Sequence, residues 1–181
     1  YVLYRERRSQ ERQQSKQTEA PAATENTIHV VDNGQRMPLN MEALRQSILA
    51  ACEGLNADVR PEPILAETIR NLYDGVPFDE VQKAAILAAR TLIEKEPDYT
   101  YATSRLLLQT IAKEVLGRPV SQAELTASYA EYFPTFIKRG VEAELLDERL
   151  AQYDLTRLGE ALKPERDFQF DYLGLQTLYD R

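Results

Sequence analysis

The chain has a single cysteine, Cys52, a single histidine, His29, and no excess of basic residues. One cysteine excludes an internal disulfide and any zinc site built from several thiolates of this chain. Cys52 falls in step with Met41, Leu44, Ile48 and Leu55 at helical spacing, which predicts a buried core thiol rather than a reactive one. His29 lies in a short β-like run with no acidic or cysteine neighbour at ligand spacing. It reads as structural or simply exposed, and no metal site is assigned. A formal net charge of -7 at pH 7 argues against nucleic acid as a partner, because binding a phosphate backbone needs a basic face. The one basic stretch, Arg5, Arg7, Arg8, Arg12 and Lys16, is interleaved with Glu6 and Glu11, so a solvated helix end is preferred there over a DNA-binding arm. No run of 18 apolar residues and no signal-peptide pattern occurs. This sets aside a membrane partner and points to the cytoplasm.

What is present is ordinary for a globular protein: 43% hydrophobic and 28% charged residues over 181 positions, with room for one or two domains. The chain begins at Tyr1 rather than Met, and YVLYRERRSQER has the pattern of a helix end, so a longer parent protein is expected. Residues 13–27, QQSKQTEAPAATENT, are polar and aperiodic and mark a boundary. Residues 1–14 are therefore assigned to the tail of a preceding domain and 15–27 to a linker. IHVV and QRMPL flank a turn at Asp32-Asn33-Gly34 and predict a β-hairpin.

Four helices follow in the pattern. Asn40 can cap the first, which stops at Gly54; the second starts near Pro61 or Glu62 and ends at Tyr73-Asp74-Gly75. The third starts at Asp79, with Gln82 in capping-box spacing, and the fourth is capped by Asp98 and ended by Gly117. Beyond Pro119, Ser121 and Glu124 form a second capping box for a helix ending near Gly140. Leu145 to Tyr153 and Leu155 to Leu162 read as shorter helices, the latter capped by Asp154. Phe168, Phe170 and Tyr172 alternate with polar residues as a half-buried strand would. No nucleophile stands with a base or metal constellation, so no catalytic residue is assigned.

The hairpin around Gly34, Asn40, Tyr73-Asp74-Gly75, the third helix ending Thr91-Leu92-Ile93, Pro97-Asp98-Tyr99 and Arg105-Leu106-Leu107 give residues 28–117 a pattern that resembles the ATP-cone. That domain is the regulatory unit of many ribonucleotide reductase large subunits. Downstream, DFQFDYLGLQTLYDR resembles the start of the large subunit's catalytic domain, and YVLYRERR is similar to the tail of a cone, which would make residues 28–117 the second of two in tandem. The resemblance implies a mainly α fold: an ATP-cone-like four-helix module with a small β-hairpin cap, followed over 118–181 by the helical start of the reductase domain. It further implies a class I type parent enzyme that reduces ribonucleotides by cysteine radical chemistry. The partners would be other large subunits and a radical-generating small subunit. ATP and dATP would act as allosteric effectors that shift the oligomer, with no cofactor in this stretch.

Family members that bind nucleotide carry a Lys-Arg-Asp-Gly type turn, and the corresponding residues here are Val31, Asp32, Asn33 and Gly34. The family's basic residue at the start of the first helix falls on Ala43, an acidic residue after the turn on Met37, and polar positions around the third helix on Phe78 and Gln82. Asn40 and Lys113 remain. Each charge-assisted hydrogen bond contributes roughly 1.5 to 3 kcal/mol, so losing two or three weakens binding by about two to six orders of magnitude. Asp32 adds repulsion. The expectation is a degenerate cone that acts as a structural or docking module. One alternative is a functional cone with an altered ATP/dATP site using Asn40, Lys113, Arg36 and Lys83. The other is a repressor that pairs a cone with a zinc ribbon, against which stands the absence of any Cys-x-x-Cys.

Overall fold

In a computed structural model the chain is described over residues 27–32, 34–118, 120 and 124–181. The expected tail and most of the expected linker, Asn33 of the turn, Pro119, and the Ser121 end of the second capping box lie outside the described residues. Strand β1 (His29–Asp32) pairs antiparallel with β2 (Gln35–Pro38), with Val30 opposite Met37 and Asp32 opposite Gln35. Gly34, at φ +80°, supplies the left-handed backbone that the turn requires. The expected hairpin is thus present, and it gains a third strand. Strand β3 (Val76–Pro77) lies parallel to the other edge of β1, in the order β2-β1-β3. Val30 and Val76 turn inward with Leu39 and Val81 to form a small core beneath the sheet.

Helix α1 (Met41–Cys52) starts where the Asn40 side chain accepts the Ala43 N–H at 2.9 Å. Helix α2 (Pro61–Asn71) carries proline in its first turn, where no helical donor is lost. Helices α3 (Phe78–Leu92) and α4 (Tyr99–Leu116) meet through Ala85, Ala88, Ala89 and Ala102. Those small side chains let the two backbones approach closely. Ile48 and Ile64 are fully buried in the same core, each contributing about 1.5–3 kcal/mol by leaving water. Gly117, at φ +68°, ends α4 by donating to the Lys113 carbonyl. Two expected caps are corrected: neither Asp79 nor Asp98 makes a capping hydrogen bond, and α3 begins one residue earlier, at Phe78.

Helix α5 (Leu125–Glu142) contains Pro134, and helix α6 (Leu155–Glu160) is capped by Asp154, which accepts from the Arg157 N–H. Between them, residues expected as a helix form only a 3-10 segment at Glu148–Gln152. The expected strand at Phe168 to Tyr172 is also corrected. Pro164–Gln169 is a second 3-10 turn, and Tyr172–Tyr179 is helix α7, capped by Asp171 accepting from the Gly174 N–H. Helical period, not alternation, buries Tyr172 and Leu175, and both enter the core that holds Ile48 and Ile64. The fold is mainly α with one small sheet, and no helix among the described residues is long and apolar enough to cross a membrane.

Candidate functional site

A cleft of about 610 Å³ opens between α3, α4 and α7 and reaches the end of β1. Asp32 stands at its hairpin end, Gln82 and Lys83 on the α3 wall, Lys113 and Glu114 on the α4 wall, and Tyr179 on the α7 wall. Of the four expected ligands, the fold brings two, Lys83 and Lys113, to this cleft. The other two are engaged elsewhere. Asn40 caps α1. Arg36 forms an ion pair with Asp74, whose carboxylate also accepts the His29 backbone N–H at 2.8 Å and contacts His29 Nδ1 at 2.9 Å. The two His29 hydrogen bonds, and then the Arg36 charge, hold the Asp74 carboxyl below the usual carboxylate range.

Lys113 is only 23% exposed and is already supplied with partners. Its Nζ lies 3.1 Å from Asp79 Oδ1 and 4.2 Å from the centre of the Phe78 ring. An ammonium over an aromatic face and against a carboxylate is electrostatically satisfied without an external anion. The charged side chains lining the cleft are Asp32, Asp79 and Glu114 against Lys83 and Lys113, three carboxylates to two ammonium groups. A triphosphate entering here meets a surplus of like charge, at a cost of about 1 to 4 kcal/mol for each uncompensated pair at 4 Å.

The residues that carry the family pattern build the frame instead. Gly75, at φ +83°, donates to the His29 carbonyl at 2.8 Å, and with Asp74 it ties the turn before β3 to β1. The Tyr99 hydroxyl accepts from the Arg60 N–H at 3.0 Å and donates to the Arg60 carbonyl at 3.1 Å, fixing the start of α2 to α4. Arg105 reaches the carbonyls of Ala51 and Glu53 at 3.2 and 2.6 Å, closing the end of α1, and stacks over Phe168. Burial pushes the Cys52 thiol up to about 11, so it is protonated and inert near neutral pH.

Sequence reasoning missed Asp79 as the partner of Lys113, and it missed Tyr172, Gln176 and Tyr179 as part of the cleft wall. The position of Asp79, three residues before Gln82, fits a capping role instead. The signal for the other three was Asp171 followed by Tyr172, Leu175, Gln176 and Tyr179, a cap and one helical face.

The sequence pattern of the ATP cone domain matches residues 30–114. Ribonucleoside-diphosphate reductase subunit alpha of Chlamydia trachomatis serovar D is 33% identical over 184 residues, and that of Chlamydia pneumoniae is 34% identical. Both alignments cover 100% of this chain and 18% of the relative. The large subunit of the same enzyme from Danio rerio is 30% identical over 154 residues, covering 83% of this chain and 19% of that protein. The chain thus spans under a fifth of the length of the curated relatives it matches.

Proposed function

The chain carries an ATP-cone domain at residues 30–114 and is homologous along its length to a stretch of the ribonucleoside-diphosphate reductase large subunits, and from that premise we propose that it is a regulatory region of such an enzyme whose own cone holds no nucleotide. The parent enzyme would reduce ribonucleoside diphosphates in the cytoplasm, with ATP and dATP as effectors read elsewhere in the protein. This cone would serve as a structural or docking module toward other large subunits and the radical-generating small subunit. One observation carries the reading: Lys113, one of the two ammonium groups in the cleft, is already held by Asp79 and Phe78, and the cleft has more carboxylates than ammonium groups.

A second reading rests on Lys83 and Lys113 sharing that cleft. Two ammonium groups there could take a nucleotide in an altered mode once Asp79 swings away. Homology that extends past residue 114 to the end of the chain favours a reductase over a cone-bearing repressor. Calorimetric titration of the chain with ATP and dATP separates the first two readings. We expect no saturable heat from a folded sample. Saturable binding below about 100 μM, about 5.5 kcal/mol, would overturn the nucleotide-free reading, and its loss in Lys83→Ala and Lys113→Ala would establish the altered mode.

A further inference from the structure

The family pattern ends at residue 114, but the core of the module does not. The cluster that holds Ile48 and Ile64 also takes in Phe168, Tyr172 and Leu175. Phe168 packs against two clusters at once: that one, and a second built on Ala112 and Val120 with Leu116 and Tyr129. On one side its ring centre lies 5.3 Å from the guanidinium carbon of Arg105, and the same guanidinium holds the carbonyls of Ala51 and Glu53 at the end of α1. On the other side its neighbour Asp167 accepts the hydroxyl of Tyr129, on α5, at 2.6 Å. A parallel tie runs from α4 and α3 to the next residues: the Tyr172 N–H donates to Thr100 Oγ1 at 3.1 Å, and the Arg90 guanidinium carbon lies 5.8 Å from the Tyr172 ring centre. A 3-10 turn as short as Pro164–Gln169 has too few internal hydrogen bonds to hold its own shape. Its form comes from these contacts.

We propose that the cone and the residues after it are one cooperative folding unit, joined where Phe168 completes the cone's core against Arg105, so that no folding boundary lies at the end of the family pattern. Arg105 is the positioning residue of the joint. Its planar group serves the end of α1 through hydrogen bonds and Phe168 through its face, two contacts that a lysine cannot make together. The joint also bears on how such a cone can act. A lobe swinging about the connection after Gly117 would have to strip Phe168, Tyr172 and Leu175 out of the shared core, so this cone does not work as a free lobe. What stabilises or loosens the cone does the same to α5 and to the turn at Pro164–Gln169, and the reverse holds equally.

Native-state hydrogen exchange of the whole chain tests the joint. In Phe168→Leu, which keeps most of the apolar volume and loses the ring face, the slowest amides of 41–71 should exchange about 3- to 10-fold faster, and those of 125–142 by the same factor. Arg105→Lys, which keeps the charge and loses the planar fork, should accelerate the same two regions together. The double variant should fall short of the product of the two single factors, because each change already breaks the contact they share. Acceleration confined to 125–170, with 41–71 unchanged, would overturn the proposal, since the cone would then be a unit of its own. Unchanged rates in both regions would overturn it too. Single factors that simply multiply would do so as well, by showing Arg105 and Phe168 to pack independently.

Discussion

Lys113 keeps its Nζ within 3.1 Å of Asp79 and 4.2 Å of the Phe78 ring centre, so two neighbours from the start of α3 occupy the positions an anion would need. Asp32 adds a negative charge at the hairpin end of the same cleft. Reversing those two features should recover phosphate binding if charge is what excludes it. In Asp32→Arg with Asp79→Ala, one carboxylate becomes a guanidinium and Lys113 is freed. Two charge-assisted contacts at roughly 1.5 to 3 kcal/mol each correspond to about two to four orders of magnitude in affinity. Calorimetry at low ionic strength, where screening is weakest, should show saturable ATP binding by the double variant and none by the parent chain. A folded double variant that stays silent would place the defect in the shape of the cleft, with Phe78 as the first suspect.

Helix α6 approaches α5 closely at Gly159. Pro134 has no N–H, so it leaves the Ala130 carbonyl without its helical donor, and that oxygen would lie 2.9 Å from a Cβ placed at residue 159. Gly159→Ala sets a helix-propensity gain of about 0.5–1 kcal/mol against overpacking that costs about 1–3 kcal/mol. The cost should win. The expected result is a lower urea midpoint than the parent chain, and an equal or higher one would mean that α6 slides freely on α5. At this scale the sequence was readable wherever a local signal was strong. Asn40, Asp154, Gly34, Gly117 and the stripe Met41, Leu44, Ile48, Cys52 each announce an element that is present. It was unreadable where the decisive contact is remote. Strand β3 is two residues long, too short to show a period. Three alternating aromatics at Phe168, Phe170 and Tyr172 mimicked a strand until the Asp171 cap and the core on α4 selected a helix. The pairing of Lys113 with Asp79 spans 34 residues, and no spacing rule reaches that far.

Across the whole molecule, the exposed Asp74 ties the turn before β3 to the hairpin strands while Cys52 lies in the buried helical core, so acid and alkali should attack different parts. Asp74 has its folded pKa depressed below its ordinary 3.8, first by the two His29 hydrogen bonds and then by Arg36. A depressed carboxylate contributes stability that is present above its unfolded pKa and lost as pH falls through the folded one, because the unfolded chain binds the proton more readily in that window. Cys52 moves the other way, from 9.0 to about 11, chiefly by desolvation. Its contribution is complete below pH 9 and disappears as pH rises toward 11, where the unfolded chain releases the proton first. Urea midpoints measured from pH 2 to 11 for the parent chain, Asp74→Asn and Cys52→Ala should therefore diverge at opposite ends. The deficit of Asp74→Asn relative to the parent should be constant from pH 5 to 8 and shrink below about pH 4. Cys52→Ala should start lower because of its lost packing, then close the gap between pH 9 and 11, since it has no thiol to ionise. A gap for Asp74→Asn that persists unchanged at pH 2 would show that the deficit does not come from the ionised carboxylate. Parallel alkaline limbs for the parent and Cys52→Ala would show that the Cys52 environment admits water.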